Sequence, residues 1–262
     1  MTRPNILFLF SDEHNHRFMG HMPESARREP VSTPAFDRLA AHGTVFTDTY
    51  CQMALCTPSR MCLLTGREVR GCGAWDNNSV LAPELPTIPK VLASGGYTTC
   101  LVGKMHFGGS LQFHGFQYRP YGDLTGKTGH QWEPLGEYAD AMTSRTRDAG
   151  LTQIPDSKIQ DVVVAQECVA FLREQAVAYP DKPWFLCASF SRPHFPLTVQ
   201  PRHLARYWPD GVTEPAVPAT GDAFHHPMSV GMRKGFKVER IDDEEMMRAR
   251  AAYFGCVSYL DE

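Results

Sequence analysis

The chain has 262 residues, with 29 acidic against 26 basic side chains and a formal net charge of −3 at pH 7. That length buries a full core in one large α/β domain or in part of a larger one, and the mixed charge points away from a nucleic-acid partner or an anionic membrane surface. Eight cysteines, scattered without dense spacing, read as reduced thiols rather than a disulfide scaffold.

Asn5-Ile6-Leu7-Phe8-Leu9-Phe10 is a continuous apolar run bounded by Pro4 and Ser11. It predicts a strand buried on both faces in the middle of a parallel sheet. The run is too short for a signal-peptide core or a membrane span, which predicts a cytoplasmic protein if Met1 is the native start. Asp12 and Glu13 follow at the carboxyl end, where α/β sheets bind ligands, and adjacent carboxylates there suit a hard divalent cation. A helix cap at Asp12 and a solvated Glu13 fit the same residues. Residues 33–43 predict a short helix, with Thr33 as cap, Pro34 in the first turn and Gly43 at the end. Thr44 to Tyr50 alternates and predicts a strand.

That strand leads into Ala54-Leu55-Cys56-Thr57-Pro58-Ser59-Arg60 and an apolar run through Leu64. Pro58 suits a first helical turn, which places Cys56 just before a helix N-terminus that favours an anion. Arg60, one turn further in, can face the same anion with its planar fork. A small buried structural thiol is an equal reading of Cys56. A phosphatase loop fits less well, because the arginine comes four positions on rather than six. A zinc site lacks a second close ligand pair: Cys62 and Cys72 stand too far apart in sequence.

Gly71 to Pro86 reads as a loop beside the site, Leu85 to Gly95 as a helix, and residues 97–102 as a second buried strand. That strand delivers Lys104 and His106, which alternate and can point to one side. Lysine offers charge to an oxyanion and histidine moves protons near neutral pH, although an exposed Lys and a hydrogen-bonded His are the plainer alternative. Gly115 to Ala149 reads as a long excursion, Pro155 to Tyr179 as an amphipathic helix and residues 183–190 as a third buried strand. The amphipathic helix is expected to bury Ile159, Val162, Val163, Cys168, Val169, Phe171 and Leu172. Beyond that strand His194 stands between Pro193 and Pro196, where an imidazole could bind an anionic oxygen or protonate a leaving alcohol. His14, next to the acidic pair, is the other histidine of interest. Pro209 to Pro227 reads as a loop, and Ile241 to Glu245 opens a last helix.

Cys56-Thr57-Pro58-Ser59-Arg60 with Leu63-Leu64-Thr65-Gly66 resembles the signature of type I sulfatases, in which the cysteine of C-x-P-x-R is oxidised to formylglycine. The order T-P-x-x-D-x-L-A-x-x-G at Thr33 to Gly43, G-K-x-H at Gly103 to His106 and P-H-x-P at Pro193 to Pro196 are similar to the same family. Gly103 to Phe107, Leu111 to Phe116, Tyr50-Cys51 and Ala74 to Asn77 resemble its choline-sulfatase-like branch.

The resemblance implies an α/β fold of the alkaline-phosphatase type, a doubly wound mixed or parallel sheet flanked by helices. The chain would be a single sulfatase N-terminal catalytic domain, residues 1–262, cut within or after the helix at 242–262. It also implies a sulfuric ester hydrolase with Cys56, Arg60, Lys104, His106 and His194 as catalytic residues. Asp12, Glu13 and the Cys56-derived group would be metal ligands, for calcium first and magnesium second.

The implied partners are a small-molecule sulfate ester, a formylglycine-generating enzyme acting on Cys56, and a second copy in a homo-oligomer. In the family a further strand with a D-H or D-N pair, then a lysine, follows the last helix, so these 262 residues alone are expected to bind metal weakly and turn over little. A phosphodiester or phosphonate monoester hydrolase of the same superfamily, or a non-catalytic anion-binding chain, are the alternatives.

Overall fold

The computed structural model describes residues 3–123, 144–215, 226–235 and 241–262. Along the chain come β1 (Ile6–Asp12), α1 (Pro34–Ala41), α2 (Cys56–Thr65), α3 (Val69–Cys72), α4 (Ile88–Ser94), β2 (Thr98–Gly103) and β3 (Tyr118–Gly122). They are followed by α5 (Ser144–Arg147), β4 (Gly150–Leu151), α6 (Gln160–Ala178), β5 (Trp184–Pro193), β6 (Thr198–Val199), α7 (Pro201–Leu204), α8 (Pro227–Gly235) and α9 (Asp243–Asp261). Met1–Asp12, Asp48–Glu133 and Asp156–Ser191 make one unit; Glu13–Thr47, Pro134–Pro155 and Arg192–Glu262 make the other.

The first unit is built on a sheet of order β1-β5-β2-β3, in which β2 runs parallel to both β5 and β3. Every residue of β2 is buried, because its two faces meet different helices. Leu101 joins Phe185 and Cys187 of β5 in a core with Met61, Cys62 and Leu64 of α2, and Leu92 of α4 packs against it. Cys100 and Val102 turn the other way, with Leu186 and Ala188, onto Val164, Cys168 and Phe171 of α6. The period of two thus feeds two cores, which is why strands covered on both sides read as unbroken apolar runs. This is the doubly wound arrangement that the sequence predicts.

In the second unit the paired strands β4 and β6 and the helix α7 lie along α9. Small residues on α9 allow a close approach: a Cβ on Gly255 would stand 2.8 Å from Val199 Cγ1. Phe254 anchors the helix, edge-on to Phe18 at 5.0 Å and to Tyr207 at 5.2 Å. The last residues of α9 reach α1, where the Asp261 carboxylate accepts from Ala35 N at 2.9 Å and from Phe36 N at 2.7 Å.

Several expectations need correction. β1 is not buried on both faces: Ile6 and Phe8 pack on the α2 side, but Leu7 and Leu9 are 48% and 47% exposed. β1 ends the strand order among the described residues, and the α6 layer lies over β2 and β3. Thr44 to Tyr50 forms no strand and is exposed throughout.

Thr33 does not cap α1. Its hydroxyl donates to Asp37 and accepts from Gly20 N, and Asp261 takes the helix N–H groups instead. The excursion read at 115–149 contains β3 and α5, with β4 directly after it, and its residues 124–143 lie outside the described residues. The long helix begins at Gln160 rather than Pro155 and buries Val164, Cys168 and Phe171, while Val169 is exposed. Pro227 starts α8 rather than closing a loop.

Among the described residues no helix is long and apolar enough to cross a membrane. Replacing Asp261 by Ala is expected to leave two α1 amides without their acceptor and to lower stability by about 1 kcal/mol. Urea denaturation, with an unchanged m-value, checks this.

Candidate active site

Cys56 is the first residue of α2 rather than the residue before it, with Leu55 as the cap. The helix forms because Pro58 sits in its first turn, where no amide is lost, and because Gly66 ends it in the left-handed conformation at φ 64°. Leu55 offers no side-chain cap, but Asn77 reaches in from the loop after α3. Its carbonyl oxygen accepts from Thr57 N at 3.0 Å. The loop read beside the site is therefore bonded directly to the cysteine turn.

Asp12 closes β1 and is buried. Its carboxylate bonds to Lys104 Nζ and lies 3.4 Å from Arg60 Nη2, and Oδ1 is 4.0 Å from Cys56 Sγ. Lys104 Nζ in turn is 3.9 Å from the same sulfur. Four of the predicted residues therefore meet at the first turn of α2. Arg60 does more than face this point. Its Nη1 donates to Lys104 O at 2.7 Å and to Ser189 Oγ at 3.1 Å, and its guanidinium lies 4.6 Å from the Phe10 ring centre. One arginine thus ties α2 to the ends of β1, β2 and β5.

Lys104 leaves β2 through Gly103, where only glycine fits: φ is +98°, and a Cβ would stand 2.0 Å from Ser189 O. Lys104 itself is fully buried. His106 follows in a left-handed conformation, φ 60°, 4% exposed, and neither ring nitrogen has a hydrogen-bond partner among the described residues. Burial lowers its pKa below 6.5, and the charges of Lys104 and Arg60 lower it further, against the opposing pull of Asp123 and Asp12. A neutral imidazole with open nitrogens, close to two cations, can accept a proton at neutral pH.

Glu13 and His194 belong to the second unit. Glu13 has φ 55° and places Oε1 3.5 Å from His194 Nε2, while His194 Nδ1 lies 2.7 Å from Phe195 O. The His194 ring stacks on Phe195 at 4.0 Å. His14 is half-buried: Nε2 meets Phe18 O at 3.1 Å, Nδ1 has no hydrogen-bond partner among the described residues, the ring packs on Phe36, and burial lowers its pKa.

Sequence reasoning missed Ser189, Asn77, Thr57 and the buried pair Arg119–Asp123. Asp123 stands just past the carboxyl end of β3, the position that made Asp12 legible. Pro120 and Gly122 hid the strand that would have drawn attention to it. Pro is tolerated on such an edge strand.

The sulfatase family profile matches residues 4–262. The chain belongs to the sulfatase family. It is similar to the choline-sulfatase of Rhizobium meliloti, 28% identical over 277 residues that cover 99% of this chain and 52% of that protein. It is also similar to a protein of Escherichia coli named "Uncharacterized sulfatase YidJ", 26% identical over 273 residues that cover 100% of this chain and 52% of that protein. In fold it is similar to the phosphonate monoester hydrolase of Agrobacterium radiobacter, with TM-score 0.71 and 22% identity over 99% of this chain and 57% of that one. The chain spans about half the length of the curated relatives it matches.

Two buried histidines next to the site set a pH dependence. Burial and the Lys90 charge bring His114 down to about 4, and His106 shifts the same way. An unfolded histidine takes its proton near 6.5, so below that pH the unfolded chain binds more protons than the folded one. Stability is therefore complete above about pH 6.5 and falls as pH drops towards 4. His114 alone contributes on the order of 3 kcal/mol across that window. Chemical denaturation at pH 7, 5.5 and 4.5 checks this, and the slope should flatten in His114→Phe.

Proposed function

We propose that the intact protein is a sulfuric ester hydrolase whose nucleophile derives from Cys56. The observation that supports this most directly is the approach of Cys56 Sγ to both Asp12 and Lys104 at the N-terminus of α2. A helix N-terminus and a buried ammonium favour a tetrahedral oxyanion at that point.

A cysteine thiolate could take a sulfuryl group, but it has no second hydroxyl with which to release it. Oxidation of Cys56 to formylglycine, by a formylglycine-generating enzyme, removes that obstacle. The hydrated aldehyde carries two hydroxyls. One would serve as nucleophile towards sulfur as the ester alcohol leaves, and proton loss from the other would release sulfate. Lys104 stabilises the developing charge, and Arg60 fixes the strand ends that hold Lys104 in place. His106, neutral through burial, is the acceptor for the hydroxyl proton. His194 binds a sulfate oxygen or protonates the leaving alcohol.

Asp12 and Glu13 supply oxygen donors of the kind a hard divalent cation takes, calcium first and magnesium second. They form part of the six to eight oxygens such an ion collects. Lys104 holds one Asp12 oxygen, Oδ2, and the other, Oδ1, is the one that faces Cys56. When bound, the ion would lower the pKa of the attacking hydroxyl and neutralise sulfate charge.

The substrate is a small-molecule sulfate monoester. The 262 residues form part of one catalytic domain.

Initial rates on paired aryl sulfate and aryl phosphonate esters test the reading. Faster turnover of the sulfate is expected, falling at least about 10³-fold in Cys56→Ala. Chelation of divalent ions should lower it as well. Faster phosphonate turnover would overturn the sulfatase reading, and undiminished activity in Cys56→Ala would remove Cys56 from the mechanism.

A further inference from the structure

The turn after β2 is bonded through its backbone at nearly every step. Lys104 N donates to Ser189 O at 3.1 Å, and Lys104 O accepts from Arg60. His106 O accepts from Thr57 Oγ1 at 3.1 Å, and Gln112 Nε2 donates to Phe107 O and Gly109 O. Two successive amides of the turn, Met105 N and His106 N, both donate to one side chain, Asp123, through Oδ1 at 3.0 Å and through Oδ2.

Asp123 is no surface acid. Its side chain is 1% exposed, and it pairs with Arg119, whose own side chain is fully buried. Arg119 Nη1 is held by Gln112, through the backbone O at 2.6 Å and Oε1 at 3.0 Å, and its guanidinium lies 5.4 Å from the Phe107 ring centre. Consecutive amides around one carboxylate make a small anion-binding nest, and here the anion comes from the protein. The nest includes His106, whose φ of 60° a non-glycine residue seldom adopts unless its surroundings impose it.

We propose that Asp123 is a positioning residue: clamped by Arg119, it holds the left-handed turn that brings Lys104 to Asp12 and Cys56 and fixes the backbone that carries His106. Its catalytic consequence rests on the sulfatase reading; its structural consequence does not. Asp12 and Asp123 thereby divide the work. Asp12 meets the Lys104 ammonium from the front, and Asp123 grips the backbone two residues on from behind. Asparagine in place of Asp123 keeps one acceptor oxygen but turns an NH₂ group towards an amide, so one of the two bonds is lost. The charges facing His106 are then Lys104 and Arg60, opposed by Asp12 alone.

The test compares wild type, Asp123→Asn and Arg119→Gln in two arms. In the first, steady-state kinetics on an aryl sulfate should show kcat lowered about 10- to 100-fold in Asp123→Asn, with KM changed less than about 3-fold. Arg119→Gln, which keeps the Asp123 acceptor but loosens the clamp that aims it at the two amides, should lose less. In the second arm, NMR of the folded chain should show the Met105 and His106 amide protons moving upfield and His106 titrating at lower pH in Asp123→Asn.

A drop in melting temperature with kcat, amide shifts and His106 titration all unchanged would overturn the proposal and leave Asp123 a purely structural acid. If wild type turns over no sulfate ester, the catalytic reading falls and the NMR arm still decides the positioning role. If Asp123→Asn does not fold, the same shifts at smaller size in Arg119→Gln support the proposal, and unchanged spectra there reject it.

Discussion

A buried carboxylate between two buried cations is the constraint on which the first unit depends. Asp12, Lys104 and Arg60 are all withdrawn from water, and each ion would cost several kcal/mol there without its partners. The three come from β1, the end of β2 and α2, so satisfying the charges fixes those elements against each other. Arg60 extends the tie to β5 through Ser189. Buried ion pairs of this kind are weak evidence for stability, since an apolar substitute often does as well. Their place beside Cys56 is what the proposed chemistry would require.

The same charges set the protonation state of what lies near them. His106 titrates low because it is buried and because Lys104 and Arg60 are close. The cations that suit an oxyanion therefore also keep the histidine neutral. The residues behind the turn decide where it goes. Gly103 permits the close approach of β2 to β5, and Asp123 with Arg119 receives the amides that this approach leaves pointing inward.

How much of this was legible follows from the kind of signal each residue carries. β2 and β5 are covered on both faces, so their apolar runs announced them and the polar residues just beyond them, Lys104 and His106. The cysteine turn was legible because Pro58 and the apolar run mark a helix start. β1 gave the same signal but lacks cover over Leu7 and Leu9, which periodicity cannot reveal. β3, with Pro and Gly among its residues, gave no strand signal, and Asp123 went with it. An acid that serves backbone amides leaves no pattern in sequence, because its partners have no side-chain identity. The capping of α1 by Asp261 was hidden for the same reason. Glu13 and His194 were named as site residues, but nothing in the sequence foretold their contact with each other.

The account turns on the chemical state of one side chain. Mass spectrometry of the tryptic peptide Leu39–Arg60, from protein co-expressed with a formylglycine-generating enzyme, reads that state directly. The account predicts a peptide in which an oxygen has replaced the Cys56 sulfur and two hydrogens, giving a lighter mass and an aldehyde that reacts with hydrazines. A peptide carrying only an intact Cys56 thiol would contradict it.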